Sequence, residues 1–383
     1  MAALDAPVCV DELSVRDISV ILSGLSSDVV IPERFMVKEA LRPSLSLLPS
    51  SDLPVIDLAP VLASPHGSAG GRADVVSALT RAAKEWGFFQ VVNHGVPIEL
   101  LERMASSGHD FFCLPTEQKE KGAGSNFLDG YAGKSRMVKD VGCMWLEGIT
   151  LRSILAEPSA EQFANRVWPG GNPTFCQTVS EVGRELEALK NSILGLLGEG
   201  LGLPTDFFTR PFEELKAAGQ PNAGADLRLN FYPACAQPSL ALGTMAHTDP
   251  TLMTLLYQDT GYGLQILGKD GSSWHLVDYK RDGIIIFIND VLQGWSNGVL
   301  QAGIHRVVLN RDRHRLSFLL SSRPPSDLLI QPACTVDGEY CPPRYRPFSF
   351  GKYIEATKYQ FDNLPGRSLA NYFVFGCYMH TFP

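Results

Sequence analysis

The hydrophobic positions of this chain follow two patterns, and the change between them falls near Pro204. In the first part, apolar residues three and four positions apart predict helices that each present one apolar face. The predicted helices lie around Val10–Leu25 and over Ala73–Lys84, Ile98–Phe112 and Val179–Leu201. Short apolar runs between the first three helices, Leu53–Leu58 and Trp86–Gly95, predict buried strands.

The second part, from Asp226 to about Ser322, is a series of short apolar runs separated by turn residues. Strands that recur at such regular spacing are typical of an antiparallel sandwich or barrel. The predicted strands are Leu227–Tyr232, Met253–Tyr257, Gly263–Leu267, Trp274–Val277, Gly283–Ile288, His305–Leu309 and Leu316–Leu320.

Four segments follow from these patterns. Residues 1–50 are an N-terminal extension, residues 51–205 a helix and strand region that packs on the core, residues 206–345 the β-rich core, and residues 346–383 a closing segment. The closing segment is predicted to be helical near Lys352–Phe361. Between Gly122 and Trp145 the sequence is rich in Gly and Lys, which predicts an irregular loop that could cover a ligand.

Composition and charge exclude several classes of protein. The 33 basic and 41 acidic residues give a net charge of −8, which argues against a nucleic-acid partner. None of the eight cysteines forms a C-x-x-C pair, so neither a zinc ribbon nor a disulfide framework is expected. The acidic N-terminus does not resemble a signal peptide, and no apolar stretch approaches the ~20 residues that span a bilayer. We therefore expect a cytoplasmic protein with no membrane partner.

One set of residues has the chemistry of a metal site. His247 and Asp249 are two positions apart, so on a strand both side chains would point to the same side. His305 lies on a later predicted strand. Two imidazoles and one carboxylate form the facial triad of non-haem Fe(II) oxygenases, whereas structural zinc would require four ligands and more sulfur. The alternatives are polar residues at the end of a strand and a core histidine.

A second set suits a carboxylate ligand. Arg315 and Ser317 lie on one face of the strand after His305, where a guanidinium can grip two carboxylate oxygens at once. Asn230 and Tyr232 likewise share a face of an earlier strand and offer further donors. The alternative for Arg315 is a surface salt bridge.

These motifs resemble those of the plant 2-oxoglutarate/Fe(II)-dependent dioxygenases. The similarity extends from about Leu53 to Tyr353. It comprises the H-x-D pair, the later His, R-x-S, the N-x-Y-P-x-C motif Asn230-Phe231-Tyr232-Pro233-Ala234-Cys235, and the N-terminal segments Trp86-Gly87-Phe88-Phe89 and Asn93-His94-Gly95-Val96-Pro97.

The resemblance implies a fold, a site and a set of cofactors. The fold would be mixed α and β, with a double-stranded β-helix (jelly-roll) core, flanking helices from the N-terminal region and a C-terminal helix. The residues His247, Asp249 and His305 would bind the catalytic Fe(II). Arg315 and Ser317 would hold the distal carboxylate of 2-oxoglutarate, with Tyr232 and Asn230 assisting. O₂ would be the second co-substrate and ascorbate the reductant.

Two segments narrow the resemblance to one branch. Met144-Trp145-Leu146-Glu147-Gly148-Ile149-Thr150 resembles the M-W-x-E-G-x-T stretch of gibberellin 3-oxidases, and Ala246–Gln258 is also similar to their sequence. This similarity implies 3β-hydroxylation of a gibberellin. The chain departs from the usual pattern at Asn289, where Gly is common, and at Gln301-Ala302-Gly303, where Lys-Ser-Val is common.

Those departures leave other functions open. The alternatives are oxidation at another gibberellin position, oxidation of another apolar plant metabolite, a 2-oxoglutarate-independent oxidase of the same fold, and a catalytically silent protein that binds a small ligand. The predicted partner in every case is a small molecule.

The predicted substrate-lining residues are Phe127, Tyr131 and Trp145, with a core aromatic as the alternative for Trp145. Two histidines outside the metal set are predicted to be structural or turned away from it. His109 is expected to be structural on a helix, and His314 is expected to face away from Arg315.

Overall fold

A computed structural model describes residues 14–23, 31–46, 49–50, 52–62, 69–124, 129–133, 142–156, 158–217, 224–336 and 338–363. The α-helices in these ranges are α1 (Val15–Ser23), α2 (Ala59–Leu62), α3 (Ala69–Glu85), α4 (Ile98–Phe112), α5 (Thr116–Glu120), α6 (Ser159–Val167), α7 (Pro173–Gly200), α8 (Arg210–Ala217), α9 (Asp290–Trp295) and α10 (Phe350–Asn363). Short 3₁₀ helices span Glu33–Phe35 and Glu39–Leu41.

The strands in the same ranges are β1 (Pro49–Ser50), β2 (Val55–Asp57), β3 (Phe88–Val92), β4 (Gly130–Ala132), β5 (Glu147–Leu151), β6 (Gly224–Tyr232), β7 (Thr244–His247), β8 (Met253–Gln258), β9 (Leu264–Leu267), β10 (Trp274–Val277), β11 (Ile284–Ile288), β12 (His305–Val307), β13 (Arg315–Arg323), β14 (Leu329–Ile330), β15 (Thr335–Val336), β16 (Glu339–Tyr340) and β17 (Phe348–Ser349).

Two sheets carry most of these strands. The major sheet has the order β2-β3-β11-β8-β13-β6-β5-β4, and the minor sheet has the order β1-β10-β9-β12-β7. Apart from the β2–β3 and β1–β10 pairs, which are parallel, the neighbours in both sheets are antiparallel. Two mainly antiparallel sheets arranged in this way make the double-stranded β-helix that the sequence predicts.

The major sheet is buried on both faces. Its outer face packs on α3, α4 and α7 in what we call the outer core, to which Leu316 and Phe318 contribute. Its inner face meets the minor sheet in the inner core, which includes Phe287 of β11 and Val307 of β12. Because both faces of the strands are covered, their sequences are almost continuously apolar, and a polar residue within them is conspicuous.

Most predicted strands and helices are confirmed within two or three residues, including α4, β8 and β13, and α10 agrees with the helix predicted near Lys352–Phe361. The helix predicted over Val179–Leu201 is also present, but α7 begins six residues earlier, at Pro173. The segment from Gly122 to Trp145 was wrongly predicted to be irregular throughout. It contains β4, which pairs with β5 and so extends the major sheet. A run of three residues is too short for its apolar pattern to predict a strand.

Within the described residues, no helix combines the length and the apolar character that crossing a membrane requires.

Candidate active site

The three residues predicted to bind metal lie together at one end of the minor sheet. His247 is the last residue of β7, His305 is the first residue of β12, and the two are direct cross-strand partners. Their ring centroids are 4.2 Å apart, and His247 Nε2 lies 3.6 Å from Asp249 Oδ1. One ligand atom from each residue lies within 4.8 Å of the other two. Two imidazoles and a carboxylate at this separation can share one cation.

Asp249 reaches the site by a route that the sequence did not predict. The pattern predicted that His247 and Asp249 would share one face of a strand, but β7 ends at His247 and Asp249 follows in the loop after it. The backbone carbonyl of Asp249 accepts a hydrogen bond of 3.1 Å from the amide of Asp290. Contact with the start of α9 therefore positions the carboxylate, in place of strand geometry.

Each ligand is oriented by a hydrogen bond on its far side. The Nδ1 atom of His247 lies 2.8 Å from the Met245 carbonyl oxygen, and Nδ1 of His305 lies 3.1 Å from that of Gly303. A carbonyl can only accept, so both histidines carry the proton on Nδ1 and present the Nε2 lone pair. Thr254 Oγ1 donates to Asp249 Oδ2 at 2.6 Å, which leaves Oδ1 toward the histidines.

The environment also favours neutral imidazole. His305 is 7% exposed and stacks on Phe287 with a centroid distance of 4.2 Å. Burial, followed by the proximity of His247, lowers the pKa of His305 to about 4. At neutral pH the ring is therefore uncharged and its lone pair is available to a metal.

A buried cation lies on the inner face of the neighbouring sheet. Arg315 is 5% exposed and donates from Nη1 to Ser317 Oγ at 3.2 Å and from Nη2 to Gln258 Oε1 at 2.7 Å. Its Nε is buried without a hydrogen-bond partner. Burial lowers the pKa of Arg315, yet a guanidinium remains charged at neutral pH. An unsatisfied N–H on a buried cation fits a carboxylate ligand.

The register of the major sheet brings the other predicted cofactor residues to this cation. Tyr232 of β6 pairs with Arg315 and Asn230 pairs with Ser317. The Arg315 guanidinium lies 5.1 Å from the centre of the Tyr232 ring, whose hydroxyl is 3.2 Å from Thr244 Oγ1.

Comparison with known proteins decides the family. A model described as the 2OG-Fe(II) oxygenase superfamily matches residues 223–324, and one described as the non-haem dioxygenase in morphine synthesis N-terminal matches residues 53–171. Jasmonate-induced oxygenase 2 of Arabidopsis thaliana is 34% identical over 344 residues, which cover 88% of each chain. The chain belongs to the 2OG-Fe(II) oxygenase superfamily.

Other members of the superfamily differ in what their names say they oxidise. Gibberellin 3-beta-dioxygenase 1 of Pisum sativum is 34% identical over 71% of each chain. Among solved structures, that of JOX2 in complex with 2OG, Fe and JA matches 98% of each chain, with a TM-score of 0.73 and 30% identity. The jelly-roll fold, the dioxygenase activity and the use of Fe(II), 2-oxoglutarate and O₂ predicted from the sequence are confirmed. The substrate is not determined by these similarities.

The geometry fits the cofactors of such a dioxygenase. His247, Asp249 and His305 would hold Fe(II), and the bound metal would supply the coupling of 2-oxoglutarate decarboxylation, with O₂, to oxidation of a C–H bond. The chain keeps His305 neutral and turns Nε2 of both histidines toward the site, and Arg315 can hold the distal carboxylate of the co-substrate. The inner core, with Phe287 stacked on His305, excludes water from one side of the iron site.

Sequence reasoning missed two polar residues of the dioxygenase site. Gln258 ends β8 opposite Ser317 and accepts from Arg315, and Arg228 donates from Nε to Asn230 Oδ1 at 2.8 Å. Both are polar residues in strands that are largely apolar. That signal was present in the sequence, but their partners depend on strand register.

The predicted substrate-lining residues occupy buried positions where the structure describes them. Trp145 is 0% exposed, packs edge-on against Phe35 at 4.9 Å and donates from Nε1 to the Pro233 carbonyl at 3.1 Å. Tyr131 is 4% exposed and its hydroxyl donates to Glu147 Oε2 at 2.9 Å. Phe127 lies outside the described residues.

Glu147 belongs to a buried charge cluster beside this region. Lys119 Nζ lies 2.7 Å from Glu147 Oε2, and both side chains are fully buried. The backbone amide of Arg16, in the first turn of α1, donates to Glu147 Oε1 at 2.8 Å. The carboxylate therefore fixes the N-terminal helix to the major sheet, which is a structural use of a residue in the Met144–Thr150 segment.

Proposed function

We propose that this dioxygenase hydroxylates a gibberellin precursor at the 3β position. The support is the Met144–Thr150 segment, which resembles that of gibberellin 3-oxidases, together with the pea relative of that activity. A gibberellin is a small, largely apolar molecule with a carboxylate. A pocket for it needs an apolar wall and one cation within reach of the iron.

The observation that carries the proposal is the position of Arg228. It lies on the inner face of β6, the face shared by Asn230 and Tyr232, and it is partly exposed. Its Nη1 donates to Thr150 Oγ1 at 2.8 Å, and Thr150 is the last residue of the gibberellin-oxidase-like segment. Burial lowers the pKa of Arg228, while the negative charge of Asp249 acts to raise it. We assign the substrate carboxylate to Arg228. Arg228 pairs with Leu319, four positions along β13 from Arg315, which leaves Arg315 to 2-oxoglutarate.

A jasmonate-type acid is the second candidate. The observation in its favour is the extent of the similarity to JOX2, a protein solved with JA, which covers 98% of each chain. Jasmonates also carry a carboxylate, so Arg228 would serve either acid.

Phe127 and Trp145 remain proposed substrate-lining residues. The Trp145 indole lies in the inner core and is hydrogen-bonded within the protein, so we propose that it acts as the apolar backing of the pocket. Tyr131 packs on Phe111 in the outer core, on the other face of the major sheet, so the structure does not place this predicted lining residue against the iron site. Ascorbate as the reductant and a cytoplasmic location also remain predictions.

The experiment is anaerobic reconstitution with Fe(II) and 2-oxoglutarate, followed by O₂ and a panel of gibberellin precursors and jasmonates. Succinate and product mass are measured together. Succinate coupled to a gibberellin product heavier by one oxygen atom supports the first candidate, and the same result with a jasmonate supports the second. Succinate without any oxidised acid would contradict both.

Arg228→Met tests the carboxylate assignment in the same assay. We expect the KM for the accepted acid to rise about tenfold to a hundredfold, because a hydrogen-bonded charge contributes roughly 1.5–3 kcal/mol. The KM for 2-oxoglutarate should hardly change. The matched control is Arg152→Met, because Arg152 lies beside β5 and pairs with Asp226. Equal effects of the two variants would contradict the assignment.

A further inference from the structure

A second group of two histidines and an aspartate lies on the opposite face of the major sheet from the iron triad. It consists of His109 on α4, Asp259 directly after β8 and His314 directly before β13. One ligand atom from each lies within 4.8 Å of the other two. His109 Nε2 is 2.7 Å from Asp259 Oδ2, and the two histidine rings are 5.1 Å apart.

The surroundings hold these three side chains in place. Asp259 Oδ1 accepts from the backbone amide of Leu316 at 2.9 Å, so Oδ2 is the oxygen turned toward the histidines. The rings of His314 and His109 both pack on Phe231, at 5.4 Å and 6.1 Å. A carboxylate anchored by a backbone donor beside two rings anchored on an aromatic is the kind of support that metal ligands receive.

The group is also open to solvent. The side chain of His109 is 30% exposed and that of Asp259 is 16% exposed, and His314 is an exposed residue. An ion therefore has a path from solvent to the three ligand atoms.

We propose that His109, Asp259 and His314 bind a divalent transition-metal ion, for which zinc is the natural probe. Three nitrogen and oxygen ligands with a fourth position left to water make a common zinc site. With bonds of about 2.0–2.1 Å, neighbouring ligand atoms in a tetrahedral site are roughly 3.3 Å apart. The present 2.7 Å contact between His109 and Asp259 needs only a small opening to admit the ion.

This site is separate from the iron centre but close to its co-substrate pocket along the chain. Asp259 follows Gln258, and His314 precedes Arg315. Because side chains alternate across a strand, Gln258 and Arg315 face the inner core while the second group lies on the outer side.

The test is the number of zinc ions bound by the full chain, measured by native mass spectrometry and calorimetric titration with zinc alone. We expect the unmodified chain to bind one equivalent more than His314→Gln and one more than His109→Gln. His247→Ala should instead lose the equivalent at the iron triad. The double variant His314→Gln with His247→Ala should lose both zinc equivalents.

His275→Gln is the matched control, because its ring contacts Ser50 and Trp86 and belongs to neither group. The affinity for the zinc ion at His109, Asp259 and His314 should fall at least tenfold in each variant of His109 or His314. It should not change in His275→Gln. Circular dichroism and melting temperature establish that each variant is folded. Identical zinc binding by the unmodified chain, His314→Gln and His109→Gln would overturn the proposal and leave a structural hydrogen bond between His109 and Asp259.

Discussion

The two His-Asp-His groups of this dioxygenase have the same composition but different supports. In the inner group, Nδ1 of each histidine donates to a backbone carbonyl, and Thr254 donates to the Asp249 carboxylate oxygen that lies away from the histidines. The remaining lone pairs therefore converge on one point. In the outer group, Nε2 of His109 is hydrogen-bonded to Asp259, so two of the atoms that could bind a metal already bind each other.

Because the two groups have the same residue types but different surroundings, residue type alone does not make a redox centre. The inner group lies on the minor sheet, across the inner core from Arg315, a buried cation of the major sheet that can hold the co-substrate, whereas the outer group lies near solvent beside Phe231. Iron oxygenase chemistry needs a group that holds the co-substrate as much as it needs the metal ligands, because 2-oxoglutarate must be held while O₂ is used.

The largest expected effect comes from removing an inner ligand. His247→Ala should lower turnover by more than about a hundredfold, a larger loss than the tenfold to hundredfold that outer-shell partners of a metal typically cost. Turnover is measured as succinate formed with saturating Fe(II) and 2-oxoglutarate, and bound iron is measured in parallel. The fold should remain, since His247 is partly exposed at the end of its strand.

His275→Gln provides the matched histidine control for this change as well. It should keep both turnover and bound iron. Retention of iron and activity by His247→Ala would contradict the assignment of the triad.

A smaller effect should follow from changing the co-substrate cation. Arg315→Lys keeps the charge but loses the planar fork, so we expect the KM for 2-oxoglutarate to rise about tenfold to a hundredfold. Iron affinity should change little. Arg323→Lys is the control on the same strand, because Arg323 pairs with Asp226 away from the site. An unchanged KM in Arg315→Lys would place the co-substrate carboxylate elsewhere.

The sequence predicted those parts of the site that depend on local spacing. Arg315 and Ser317 are two apart on one strand, and their side chains do meet at 3.2 Å. His247, Asp249 and His305 were predicted from chemistry combined with family resemblance. The structure brings the three residues together, although the segment after β7, and not strand alternation, positions Asp249.

The parts that it did not predict depend on contacts between distant segments. Gln258 and Arg228 are recognisable as functional only when the pairing of β8, β13 and β6 is known. The outer group was missed for the same reason, because α4 must pack against the sheet before His109 meets Asp259 and His314. A periodic pattern predicts which face of an element is buried, but it does not specify which neighbour covers that face.

The smallest expected effect concerns the hydrogen bond from Thr254 to Asp249, which supports the inner group and has no threonine counterpart in the support described for the outer group. Thr254 is 1% exposed, and its hydroxyl holds Asp249 Oδ2. Thr254→Val keeps the shape of the side chain and removes that donor, so the carboxylate can turn and iron affinity should fall about tenfold. Thr178→Val is the control, since the Thr178 hydroxyl donates to the Thr174 carbonyl within α7. Anaerobic iron titration of both variants provides the measurement. An equal loss in both would mean that the threonine acts through stability, whereas a loss confined to Thr254→Val would mean that the orientation of one carboxylate sets the affinity for iron.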